Sequence, residues 1–156
     1  ADIVFGDGFP TATGRAKLVP ATPAPPVEPV DAEYPMVLTT GRQLEHWHTG
    51  AMTRRATILD ALEPEPVASL SPADFAALGL RPGDLVRVAT RRGEIELKAR
   101  RDTAVPKGMV FLPFCYTEAP ENLLTHPQLD PIGKIPEFKY CAARVETVAP
   151  DRAAAE

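Results

Sequence analysis

The chain has 156 residues and a formal net charge of −4, with 44% hydrophobic and 24% charged residues, which suits one compact domain with tails. That balance excludes the clustered basic surface a nucleic-acid partner needs, and no apolar run reaches the roughly 18 residues of a membrane helix. Two cysteines, Cys115 and Cys141, exclude a disulfide framework, no CxxC is present for zinc or an iron–sulfur cluster, and the N-terminus lacks a signal-peptide pattern, so a reduced, cytoplasmic setting is expected.

Residues 1–19 are short and broken by Gly6, Gly8, Pro10 and Gly14. Prolines at 20, 23, 25, 26, 29 and 35 then predict an extended, polyproline-like linker, because proline fixes φ and removes a donor. The domain proper opens with a β-branched strand from Met36 to Thr40, ending at Gly41. A polar segment runs from Arg42 to Arg55, and Ile58, Leu59 and Leu62 predict a short helix or turn over 56–62. Val67 to Leu70 reads as a strand. Ser71 then stands as an N-cap, with Pro72 at the first helical position, Asp74 three residues after the cap, Phe75 and Leu78 facing the core, and Gly79 as the stop.

After a turn at Arg81–Asp84, a strand is predicted over Leu85 to Thr90, a hairpin loop at Arg91–Gly93, and a second strand over Glu94 to Arg100. The second strand alternates, with Ile95, Leu97 and Ala99 inward. Met109 to Leu112 is an unbroken apolar run and predicts a strand buried on both faces. Residues 113–139 are loop-rich with a helical turn near Glu121–Thr125, Tyr140 to Glu146 closes as a strand, and the polar end is expected to fray. No internal repeat is visible. The expected division is a partly ordered segment and linker over 1–35, a barrel over 36–148 and a polar tail over 149–156.

Many short strands with one or two short helices predict a small closed barrel. Two long polar loops, near 41–55 and 113–139, each leave an apolar strand, and loops on a rigid scaffold are where binding groups usually sit. The first is dense in donors: Thr40, Gly41, Arg42, Gln43, His46, His48 and Thr53 could serve a pyrophosphate or a heteroaromatic ring. It is neither a Walker loop nor GxGxxG, and it also reads as a solvated polar loop capped by a half-buried Trp47. On an extended strand His46 and His48 would share a face, yet a third metal ligand is lacking. His46 with Cys115 could be cast as a nucleophile pair, against which burial of Cys115 is the plainer reading. In the second loop Phe114, Tyr116 and Phe138 could stack on a flat ring, and Asn122 or Lys139 could bond its edges; core and rim packing accounts for them equally.

Thr40-Gly41-Arg42 followed by Glu45-His46-Trp47-His48-Thr49-Gly50-Ala51-Met52-Thr53-Arg54-Arg55 resembles the opening of the molybdopterin dinucleotide-binding domain of formate dehydrogenases. The likeness continues through Leu78 to Val88 and Arg92-Gly93, and closes with Phe114, Asn122 to Thr125, Asp130-Pro131 and Lys134 to Ala142. The resemblance implies a mainly β fold, a six-stranded double-psi β-barrel with a few short helices. It implies a molybdopterin guanine dinucleotide, with molybdenum or tungsten in the complete enzyme, contacted along one side and not held tightly by this chain alone. By position it assigns Thr40, Gly41, Arg42, Gln43, Leu44, His46 and His48 to a first cofactor-contacting loop, and Phe114, Asn122, Phe138 and Lys139 to a second. Some relatives carry Tyr at Phe114 and Phe138, so a hydroxyl bond there is lost. The resemblance assigns no catalytic and no metal-ligating residue to this chain. The family's Cys or selenocysteine ligand, its His and its formate-binding Arg lie in earlier domains, and the remaining domains of the catalytic subunit are the expected partner. A free-standing cofactor-holding protein with the same barrel is the alternative.

Overall fold

The computed structural model describes residues 3–148, so the tail expected over 149–156 lies outside the described residues. Six strands form the barrel: β1 (Met36–Gly41), β2 (Val67–Leu70), β3 (Leu85–Ala89), β4 (Glu94–Arg101), β5 (Met109–Pro113) and β6 (Cys141–Thr147). Two short helices, α1 (Thr57–Leu62) and α2 (Pro72–Ala77), and two 3-10 turns, Thr53–Arg55 and Glu121–Leu123, lie in the connections. The mainly β, closed, six-stranded architecture expected from the sequence is what the chain adopts.

Around the barrel the order is β1-β5-β2-β4-β3-β6, closed by β6 on β1. β1 pairs parallel with β5 and β2 parallel with β4; the other four pairings are antiparallel. Exchanging β1, β2, β3 for β4, β5, β6 leaves every neighbour and every direction unchanged. The barrel therefore carries a topological two-fold that the sequence does not display as a repeat. Barrel packing asks only for inward apolar residues at period two, which many different side chains satisfy.

The interior is built from Leu38, Leu70, Val86, Val88, Leu97, Val110, Leu112 and Val145, all less than a tenth exposed. β4 alternates as its sequence predicts, with Ile95, Leu97 and Ala99 inward. Ser71 caps α2, its Oγ accepting from Asp74 N at 3.1 Å, and Pro72 opens the helix. Gly79, at φ 66°, ends the helix in a Schellman turn: Leu80 N donates to Phe75 O at 3.1 Å and Gly79 N to Ala76 O at 3.0 Å.

One expectation fails in part. β5 is not buried on both faces: Val110 and Leu112 point into the core, whereas Met109 and Phe111 are half-exposed. No helix covers the outer face here. Instead Phe111 lies across the outside of β1, over Gly41, where an added Cβ would stand 2.3 Å from the ring. Gly41 is thus required by a close approach and not by its backbone angle.

Gly41→Ala should overpack this contact and cost about 1–3 kcal/mol. Phe111→Leu in the same chain should recover much of that loss, because the two sites touch. Urea denaturation of the two single variants and the double variant checks both statements; additive losses would show that the ring does not set the glycine.

Candidate functional site

The strand directions decide which connections meet. β1, β3 and β5 end, and β2, β4 and β6 begin, at the same end of the barrel. The connections 42–66 and 114–140 therefore leave and return at that end, together with the hairpin tip at 90–93. Their two-fold counterparts, 102–108 and 71–84 at the other end, are much shorter. The barrel is symmetric and its loops are not.

The two long connections are tied together where they leave the strands. Phe114 N donates to Gly41 O at 3.1 Å. Lys139 Nζ donates to the Thr40 carbonyl, and Thr40 Oγ1 donates to Phe138 O at 3.0 Å. The Lys139 ammonium sits 5.1 Å from the Phe138 ring centroid and 5.8 Å from that of Phe114. Thr40, Gly41, Phe114, Phe138 and Lys139 thus form one constellation drawn from two separate loops.

Beside it, Arg42, Gln43, Leu44, Glu45, His46, Trp47, Thr53 and Leu59 line an open pocket of about 610 Å³. Arg42 is exposed and makes no hydrogen bond or ion pair to another described residue. Gln43 Nε2 donates to Glu45 at 2.8 Å, which fixes that amide. His46 is 1% exposed, and its Nε2 lies 2.8 Å from Glu63 O. A carbonyl only accepts, so Nε2 carries the proton and Nδ1 is left as a buried acceptor without a partner among the described residues. Tyr116 donates its hydroxyl to the same Glu63 carbonyl at 2.9 Å and meets the His46 ring edge-on at 5.7 Å. Burial pushes the Tyr116 phenol up, so it remains a donor.

Arg54, missed as a site residue, locks the two loops. Its guanidinium reaches Asp60 at 3.3 Å and Glu118 at 2.6 Å, and lies 4.9 Å above the Tyr116 ring. Gly50, at φ 73°, permits this approach, since a Cβ there would stand 2.8 Å from Arg54 Cγ and 2.9 Å from Cys115 O. The dense polar motif around Arg54 was the available sequence signal, although nothing in it singles out this arginine.

Two candidates stand apart. His48 lies in an exposed turn at φ 49° with its ring against Trp47, so the extended geometry that would pair it with His46 is not present. Trp47 is 61% exposed and caps nothing. Asn122 is exposed on the second 3-10 turn, and its carbonyl accepts from Thr125 Oγ1 at 3.3 Å. Glu28, His126 and Cys141 bring three donor atoms within 4.8 Å of one another. They do not suit a cation. His126 Nδ1 accepts from Gln128 N at 3.2 Å while Nε2 faces Tyr140 O at 3.2 Å, and Arg91 and Arg92 already neutralise Glu28. A Cys115 nucleophile is also disfavoured, since burial pushes that thiol up and no hydrogen bond joins it to His46.

Residues 36–142 match the model of the molydopterin dinucleotide binding domain. The chain belongs to that family. It is 44% identical over 146 residues to the F420-dependent formate dehydrogenase subunit alpha of Methanocaldococcus jannaschii, covering 94% of this chain and 22% of that protein. It is 41% identical over 138 residues to the F420-dependent formate dehydrogenase 1 subunit alpha of Methanococcus maripaludis, covering 88% of this chain and 20% of that one. The chain thus spans about a fifth of the length of these relatives. Acetylene hydratase from Pelobacter acetylenicus has the same fold, with a TM-score of 0.67 and 24% identity over 74% of this chain and 19% of its own. The fold is a double-psi β-barrel: the β1–β2 connection passes over β5, and the β4–β5 connection passes over β2. A molybdopterin-type cofactor is therefore the ligand class of this domain.

The donor set fits such a group. Arg42 and Lys139 offer cationic N–H groups, Phe114 and Phe138 offer ring faces, and the His46 Nδ1 acceptor is unpaired. Among the described residues no helix is long and apolar enough to cross a membrane.

Cys115 and Cys141 are 1% and 0% exposed, and burial pushes both thiols above their ordinary value. Both should resist alkylation at neutral pH and react only as the chain unfolds. Mass spectrometry after a timed iodoacetamide pulse measures this; rapid native labelling of Cys115 would restore it as a reactive group.

Proposed function

We propose that this chain holds a molybdopterin guanine dinucleotide at the loop end of its barrel, as one domain of a molybdenum or tungsten formate dehydrogenase. The observation that carries the proposal is the tether between the two loops. Lys139 reaches the Thr40 carbonyl, so the cationic groups of both loops stand at one end of one rigid scaffold. The relatives above are named as formate dehydrogenase subunits, which supports formate and carbon dioxide as the substrate pair of the complete protein.

Arg42 suits the pyrophosphate, because a guanidinium offers paired donors to two oxygens and among the described residues no carboxylate is paired with it. Phe114 and Phe138 would border a flat ring held under the Lys139 charge. Thr40, Gly41, Gln43, Leu44 and His46 complete the first wall, with His48 and Asn122 at its rim. When bound, the metal-carrying cofactor would supply two-electron chemistry. This chain would orient it and exclude water from one side. The metal ligand and the formate-binding group would come from the rest of the catalytic subunit.

That remainder is the proposed partner, and the surface supports it. Within the barrel domain every exposed large hydrophobic residue except Leu85 lies on the two long connections, including Leu44, Trp47, Met52, Ile58, Ile132 and Ile135. Exposed apolar side chains gathered on the two connections of one end mark a face made to be covered. The chain alone therefore supplies one wall and should retain the cofactor weakly.

In the full-length subunit, Arg42→Ala should weaken cofactor retention by about 1.5–3 kcal/mol, roughly tenfold or more. Guanine nucleotide and metal content after gel filtration measure it. Unchanged content in both Arg42→Ala and Lys139→Ala would overturn the proposal.

A further inference from the structure

We propose that Glu28, which lies ahead of the family domain, is a positioning residue that staples both ends of residues 125–140 to the barrel and so sets the place of Phe138 and Lys139. The role toward cofactor rests on the reading of those two residues given above.

The Glu28 side chain is 14% exposed although it belongs to a proline-rich, otherwise open stretch. One carboxylate oxygen accepts from Arg91 at 2.9 Å and from Arg92 at 2.6 Å. The other accepts from Ala142 N at 3.1 Å. The Ala142 contact has a topological cause. β6 runs past the end of β3, whose last pair is Ala89 with Arg144, so the Ala142 N–H has no ladder partner on that side. Glu28 stands in for the missing strand.

Arg92 carries the same carboxylate to the other end of the loop. Its Nε and Nη2 both donate to Leu124 O, at 3.0 and 2.9 Å. A single anion thus fixes Leu124 through Arg92 and Ala142 directly, the residues on either side of 125–140. A second thread runs from the neighbouring Val27, whose N–H donates to the Glu137 carboxylate at 3.3 Å, one residue before Phe138. Without Glu28, Arg92 would lose its only carboxylate partner among the described residues while lying beside the Arg91 charge, and the Ala142 donor would be left unpaired.

The test uses the full-length, cofactor-loaded subunit with Glu28→Gln, which keeps the shape and removes the charge, and with Glu28→Ala. Asp31→Asn serves as the control, since Asp31 pairs with Arg91 and with its own turn but not with the loop. Hydrogen exchange should speed about tenfold within 125–140 in both Glu28 variants while β1, β3 and β4 stay protected, and guanine nucleotide should leave faster. The control should show neither change. Where Glu28→Ala does not fold, Glu28→Gln alone decides. Unchanged exchange in 125–140 overturns the staple. A loosened loop with unchanged retention, when Lys139→Ala does lower retention, overturns its role toward cofactor. If neither Lys139→Ala nor Arg42→Ala lowers retention, it is the cofactor reading that fails, and loop exchange still judges the staple by itself.

Discussion

A closed barrel leaves its strands almost no backbone donor to offer away from their ends. Each ladder group is paired with a neighbour, and no edge remains to accept a ligand. Every backbone polar group that this domain presents to a partner must therefore come from a connection or from near a strand terminus. The hydrogen bond from Lys139 to the Thr40 carbonyl is where that constraint becomes a site. It takes a carbonyl near the end of β1, beyond the last β6 pair at Leu38, and uses it to anchor the cation of the opposite loop.

The two-fold in the topology sharpens the point. The fold treats its ends as equivalent, so nothing in strand pairing favours one of them. The difference lies in the connections. At one end they are short and meet through a single carboxylate, Asp74, which accepts from Ser71 Oγ at 2.6 Å and from Gly108 N at 2.7 Å. At the other end they are long, and their contacts run from one loop to the other through Glu63 O, Arg54 and Thr40.

What could be read from the sequence was local. The alternation of β4, the Ser71 cap and the Gly79 stop each follow from a few adjacent residues, and each stands where it was expected. What could not be read needed pairing information. The half-exposed outer face of β5 depends on which elements cover it, and Met109 to Leu112 looks the same as a strand with two buried faces. His46 and His48 share a face only on an extended chain, and the loop turns between them. At the site, the donor-rich character of 40–46 was plain in composition. Arg54 and Glu28 were not, because their importance lies in partners 64 and 114 residues away in the chain.

The second loop also explains why so much polar fastening is needed. Among its residues only Glu121–Leu123 and one bridge, Leu129 with Pro136, are regular, and most side chains face solvent. It cannot be ordered by a core of its own, so order comes from side chains that answer backbone groups. Asp130 accepts from Ile132, Gly133 and Ile135 N–H groups, which hold its carboxyl below the usual range; Thr90 and Arg92 both reach Leu124 O. Each such bond is worth little net, yet together they offset the entropy of fixing a long loop before any ligand arrives. A loop ordered in advance does not draw that cost from binding. The family domain begins at residue 36, but the fastening of its second loop reaches back to Glu28, so the segment ahead of the barrel belongs to the physics of the site even though it lies outside the fold.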